Sequence, residues 1–311
     1  MSKSSALLDQ SRPPWAVIAA LAWPTIAEQF LQVLVTFVDS AMVGSLGASA
    51  TASVSVPTST IWLLNGWMNA FAIGFGVLMA RNLGANNRPR ARQIVRQGLI
   101  TALPFGILLT TLSLFVARIL PGWIATDPLV IEQAQGYFHY IALGYLPNVL
   151  MVLSSSLLRL SGDTKTPLLL NALNNLLNIL FNLFFIFEQL TVGPITIRGV
   201  GLGVRGAAMA TTLACTITAL LLLRILIFGD REISLRGFIS SGWERSITRS
   251  SFRLGLPVAL ERTTLSMGQI FFTKLIGGLG TTALAAHFLA TTAESMTYLP
   301  SSGLSSAATT L

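Results

Sequence analysis

The chain of 311 residues is 52% hydrophobic and only 10% charged, against about 25% charged residues in ordinary soluble domains, which excludes a water-soluble globular fold. Its mean hydropathy of +0.69 is spread along the whole length, so several membrane-spanning helices are expected rather than a soluble domain on one anchor. The net charge of +8 does not indicate nucleic acid, because the basic residues sit in short gaps between apolar runs.

The N-terminal stretch MSKSSALLDQSRPPW is polar and lacks the small-residue cleavage site of a secretory signal. Residues 1–14 therefore read as a tail, and the first apolar segment as a retained helix. Runs of roughly 20 apolar residues, the length that crosses a bilayer, predict helices near 15–42, 53–80, 94–118, 130–158, 167–188, 204–228, 252–277 and 284–311. The expected fold class is an all-α polytopic membrane protein. Residues 15–228 form a first six-helix unit, 229–250 a loop, and 251–311 the first two helices of a second unit.

The gap after the second helix holds Arg81, Arg88, Arg90, Arg92 and Arg96 and no acid. The fourth gap adds Arg159 and Lys165, and the sixth adds Arg231, Arg236, Arg245 and Arg249. In contrast, the first gap is uncharged, the third sets Arg118 against Asp127 and Glu132, and the fifth has Arg198 and Arg205. By the positive-inside rule the even-numbered gaps and both ends of the six-helix unit face the cytoplasm. The expectation is a multi-pass inner-membrane protein with a cytoplasmic N-terminus.

Sliding the chain against itself by 233 residues aligns Pro24 with Pro257, Glu28 with Glu261, Gly44 with Gly277, Gly47 with Gly280 and Ala52 with Ala285. A repeat unit with an even number of helices enters the membrane twice in the same sense, about a pseudo-two-fold along the membrane normal. A second unit equal to the first would need about 150 further residues, so the chain reads as a fragment or truncated product that stops inside that unit's second helix.

Asp39 lies in the outer part of the first helix, past Pro24. An ionisable group at membrane depth costs on the order of 3 kcal/mol unless it is paired or faces water. It reads as a carboxyl that takes up and releases a proton as access alternates, or as a cap on a frayed helix end beside Gly44. Pro24 and its repeat mate Pro257 remove a backbone hydrogen bond and kink their helices, as a bend biased by Asp39 or as a static one. In the fifth predicted helix, Asn171, Asn175, Asn178 and Asn182 fall within roughly 60° of one face, with Asn174 beside them. Such amides do not face lipid; they line a cavity or zip neighbouring helices together.

Glu28 and Glu261 sit near mid-membrane with Arg262 and Lys274 on the seventh helix, either as a gate or as a buried ion pair. Glu294 is a further intramembrane acid without an assigned role. His139 and His287 have no Cys, Asp or second His at metal spacing, so no metal site is expected. Cys215 reads as a packed small residue, and GVRGAAMA as a close-packing helix start. No helix presents a nucleophile with a base, so an enzyme is not expected.

A Pro early and an Asp late in the first helix, the VDSAMVGSLGA ending, the ARNLGA…ARQIVRQG stretch, SGDTKTPLLLNALNNLLNILFN and GVRGAAMATTLA together resemble multidrug and toxic compound extrusion (MATE) transporters, in particular the DNA-damage-inducible F branch. The resemblance runs through essentially the whole chain. It implies a 6+6 helix bundle, of which about eight helices are present, and Asp39 as the coupling carboxylate. Asn178 and Thr211 match family cavity positions. At the position of Asn182 the family often carries a second aspartate, so the neutral amide leaves Asp39 as the only acid in that cavity.

The implied function is secondary active efflux of amphipathic or cationic organic compounds, by antiport with H+ or Na+ through alternating access. It needs no cofactor beyond the coupling ion. The partners are a small organic substrate and membrane lipid, without nucleic acid, and the missing second lobe or a second copy for full transport. The alternatives are a lipid-linked precursor flippase of related fold and a non-transporting truncated membrane protein.

Overall fold

The computed structural model describes residues 27, 30, 31, 33–192, 195–237, 242–295 and 297. Pro24 and Glu28 lie outside the described residues. Within them the helices are α1 (Val33–Gly44), α2 (Ala48–Gly84), α3 (Arg88–Ile124), α4 (Pro128–Leu143), α5 (Tyr145–Leu160), α6 (Lys165–Ile186), α7 (Gly203–Phe228), α8 (Arg245–Gly277) and α9 (Thr281–Ser295). The all-α reading holds, with one small addition. The fifth gap carries an antiparallel hairpin, β1 (Gln189–Val192) paired with β2 (Ile195–Arg198).

α2 and α3 start earlier and end later than their apolar runs suggest, because a helix can continue past the hydrocarbon where water or a cap satisfies its end groups. With 37 residues, α2 is about 55 Å long, well beyond the roughly 30 Å apolar core of a bilayer. In α3, the Asn87 side chain accepts from the Arg90 N–H at 3.1 Å and Pro89 fills the first turn, so the arginine-rich stretch joins the helix.

The predicted single helix 130–158 is two helices bent by 49°. Gly144 sits at the break, and Pro147 has no N–H to offer the Leu143 carbonyl one turn back. At this break α7 comes close. The Thr212 hydroxyl donates to the Tyr140 carbonyl at 2.8 Å, and a β-carbon at Gly144 would lie 2.8 Å from that hydroxyl oxygen.

By length and composition α2, α3, α6 and α7 can cross a membrane, and the bent α4–α5 pair can form a fifth span. The main core joins α2, α3, α4, α5 and α7 through fully buried side chains such as Met68, Phe75, Ile94, Phe138, Leu153 and Leu222. α8 lies antiparallel along α2 at backbone contact. A β-carbon at Gly74 would meet the Ser251 carbonyl oxygen at 2.2 Å, and one at Gly255 the Ala70 carbonyl oxygen at 2.5 Å. Further along, Ser59 and Thr273 share a 2.9 Å hydroxyl hydrogen bond, and the Trp67 indole donates to Thr263 at 2.8 Å.

The sequence repeat has a backbone counterpart. Gly47 (φ 107°), between α1 and α2, and Gly280 (φ 103°), between α8 and α9, both adopt a positive φ that other residues avoid. The bonds around them also match. Gly47 N donates to Gly44 O and Leu46 N to Val43 O; Gly280 N donates to Gly277 O and Leu279 N to Ile276 O.

Candidate functional site

Three helices bring four polar side chains to one place. α1 supplies Asp39, α6 supplies Asn178 and Asn182 one turn apart, and α7 supplies Thr211. α6 and α7 pack closely because α7 opens with small residues: a β-carbon at Gly206 would lie 2.4 Å from the Phe185 carbonyl oxygen, while Ala207, Ala208 and Ala210 are buried.

Asn182 donates its amide to Asp39 Oδ1 at 2.6 Å and also reaches Asn178 Oδ1 at 3.2 Å. Asn178 donates to the Thr211 hydroxyl at 3.0 Å, which in turn donates to the Ala207 carbonyl at 3.0 Å. Turning the Asn178 amide over places its nitrogen 2.9 and 3.1 Å from the two Asp39 oxygens, and its oxygen within 3.0 Å of Thr211 Oγ1. The two orientations suit two states of the acid. An ionised carboxylate needs the nitrogen facing it, and a protonated carboxyl can donate to the amide oxygen.

Both amides are buried, whereas Asp39 is half-buried and Thr211 exposed. The outer edge of the network is therefore reachable while its back is sealed. Asn182 Oδ1 is buried without a hydrogen-bond partner. The Asp39, Asn178 and Thr211 oxygens are hard donors of the kind that suit a proton or a small cation. An apolar cluster surrounds the network, with Val43 of α1, Val54 of α2, Ile186 of α6, Val204 of α7 and Phe288 of α9. Tyr137 of α4 packs against it. The sequence reading passed over Tyr137, since a tyrosine in an apolar run carries no signal of its own.

The rest of the amide stripe diverges from this site. Asn174 accepts from Thr218 of α7 at 3.4 Å, serving as interhelical glue, and Asn175 is half-buried. Glu261 and Arg262 are exposed on α8 and form no ion pair among the described residues. Instead the Arg262 stem covers Gly66, where a β-carbon would lie 2.8 Å from it. Pro257 sits inside the continuous α8. Lys274 donates to the Trp123 carbonyl and lies over that residue's ring. Glu294 and His287 line a cavity of about 170 Å³ of mixed polar and aromatic walls, with Ser55, Ser59, Gln269 and Phe272. His139 is exposed against Tyr140, and Cys215 is buried beside Met151. Among the described residues, no group of three or more His, Cys, Asp or Glu is placed to hold a metal.

Known proteins share the sequence and fold of this chain. The MatE family profile matches residues 24–184 and 257–311, two stretches whose starts are separated by the register of the internal repeat. The chain is 30% identical over 292 residues to the probable multidrug resistance protein NorM of Thermotoga maritima, covering 94% of this chain and 61% of that protein. It is 29% identical over 308 residues to the multidrug resistance protein MdtK of Yersinia pestis, covering 94% and 63%. The chain thus spans about three-fifths of the length of these curated relatives. Among solved structures, a MOP superfamily transporter from Pyrococcus furiosus superposes with a TM-score of 0.84 at 24% identity, covering all of this chain and 66% of that one. A MATE structure in complex with MaL6 superposes with a TM-score of 0.82 at 25% identity, again covering all of this chain and 66% of that one. With its profile matching more than half of the sequence, the chain belongs to the MatE family, the multidrug and toxic compound extrusion transporters.

Proposed function

We propose that this protein works in secondary active efflux, exporting amphipathic or cationic organic compounds in exchange for H+ or Na+. The observation that carries the reading is the Asp39–Asn182–Asn178–Thr211 network, a single carboxyl held among amides inside a helix bundle with one edge reachable. An acid at membrane depth that can be either ionised or neutralised is a natural coupling group. The Asn178 amide can serve both states by turning over. The multidrug names of NorM and MdtK support the substrate class. Exchange would proceed by rocking one lobe against its pseudo-symmetric counterpart, with the ion site fixed in the first lobe. A lipid-linked precursor flippase would call for cationic walls around this network, and the described walls are amides, hydroxyls, and aliphatic and aromatic groups.

The test is Asp39→Asn in the complete protein expressed in efflux-deficient cells. The expected result is loss of drug tolerance and of proton- or sodium-driven uptake into vesicles, with membrane insertion unchanged. Full efflux by that variant would remove Asp39 from the mechanism.

A further inference from the structure

Away from this network, the first turns of α8 carry Arg245, Arg249 and Arg253 at successive four-residue intervals. This spacing places them on one helix face about 6 Å apart along the axis. All three are exposed, and none forms an ion pair among the described residues. The nearby carboxylate, Glu244, is already engaged by Arg90, Gln93 and Ser246. The arginines and the Ser250 hydroxyl line an open cavity of about 670 Å³. Like charges at this spacing destabilise a helix, and an anion seated among them relieves that repulsion.

Arg253 also borders a second cavity, of about 460 Å³, between α2, α3 and α8. Its walls are apolar and largely aromatic. Phe71 stacks on Phe105 with ring centroids 4.6 Å apart, and meets Phe252 edge-on at 6.1 Å. From Ser251 to Ala259 the groove runs about 12 Å along α8, from the arginine row toward mid-membrane. Gly255 lies in its wall, where the backbones of α2 and α8 come into contact.

A row of unpaired cations joined at Arg253 to an aromatic groove matches a molecule with an anionic head and a hydrocarbon tail. We infer that this is a binding site for an anionic phospholipid of the leaflet bordering the arginine-rich end. Its phosphate sits among Arg245, Arg249 and Arg253, and one acyl chain lies in the groove beside Phe71. The site is independent of the efflux reading, since it shares no residue with the Asp39 network.

The complete protein, reconstituted in vesicles of equal phosphatidylglycerol and phosphatidylcholine, tests this by counting the lipids it retains in native mass spectrometry. The wild type should retain phosphatidylglycerol preferentially. Arg249→Gln and Arg253→Gln should each cut the preference about fivefold, which corresponds to about 1 kcal/mol per basic residue at an anionic surface. The Arg→Lys pair, which keeps the charge, should preserve most of it. Ala259→Phe, which fills the groove, should lower retention without touching the arginines. Equal retention of both lipids by the wild type, or an unchanged preference in the double Gln variant, would overturn the proposal. So would displacement of the lipid by millimolar inorganic phosphate together with indifference to Ala259→Phe, which would mark a free-anion site.

Discussion

Asn182 donates to Asp39 from a fully buried position on α6, so residue 182 gives the site a hydrogen-bond donor rather than a second charge. The two side chains join α1 to α6 across the bundle. Hydrogen bonds to charged groups contribute about 1.5–3 kcal/mol, which is enough for this contact to bias how α1 sits.

Replacing Asn182 by Leu keeps the branched shape and removes the donor. In the complete protein, efflux should fall by about tenfold or more, matching the loss of one charged hydrogen bond, while insertion and expression persist. Wild-type transport in Asn182→Leu would show that Asp39 does not depend on this partner.

Thr211→Val removes the hydroxyl that meets Asn178 in both amide orientations. The expected loss is about 1 kcal/mol, a transport rate down roughly fivefold, with Thr211→Ser restoring most of it. Rate measurements on the two variants side by side decide the matter, because a merely steric role would be served equally well by Val.

Gly74→Ala should weaken the seam between α2 and α8. The added methyl would lie 2.2 Å from the Ser251 carbonyl oxygen, and backbone on both sides leaves it nowhere to go. Overpacking of this kind costs about 1–3 kcal/mol. Gly84→Ala is the control, since nothing lies within 4 Å of its β-carbon. Thermal unfolding in detergent should separate the two variants clearly.

Glu244 ties the start of α8 to α3. Arg90 reaches both of its carboxylate oxygens, and the Gln97 amide donates to its carbonyl at 2.6 Å. The hydrogen bond from Arg90, then that from Ser246, pushes the Glu244 carboxyl from 4.5 down to about 2. A folded-state value below the unfolded one means the stabilisation is complete above about 4.5 and is lost as pH falls through about 2. Glu244→Gln should therefore melt earlier than wild type near neutral pH, and the difference should close near pH 2. A gap that does not change with pH would show that the ionised carboxylate is not its source.

The site was legible in sequence where a polar side chain stood alone against hydrocarbon. Asp39, Asn178 and Asn182 stand out because lipid gives them no other partner, and Thr211 came with the family resemblance. Asn175 shows the limit of that reasoning. Helical spacing placed it with Asn178 and Asn182, but only contact with α1 and α7 selects which amides meet the acid. Hydropathy recovered α2, α3, α6 and α7 while falling short of the ends of α2 and α3, since capping by Asn87 and a turn at Gly47 leave no trace in an apolar average. The bend at Gly144 was missed because the helical pattern continues on both sides of it. The Arg90–Glu244 pairing joins positions 154 residues apart, and no local pattern announces such a contact.

Gly47 and Gly280 set the same corner twice, at equivalent places in two stretches of matching sequence. A duplicated corner is an interchangeable part. Exchanging residues 43–50 with 276–283 should leave each helix pair leaving its corner at the original angle, and whatever function then changes would belong to the surrounding walls rather than to the joint.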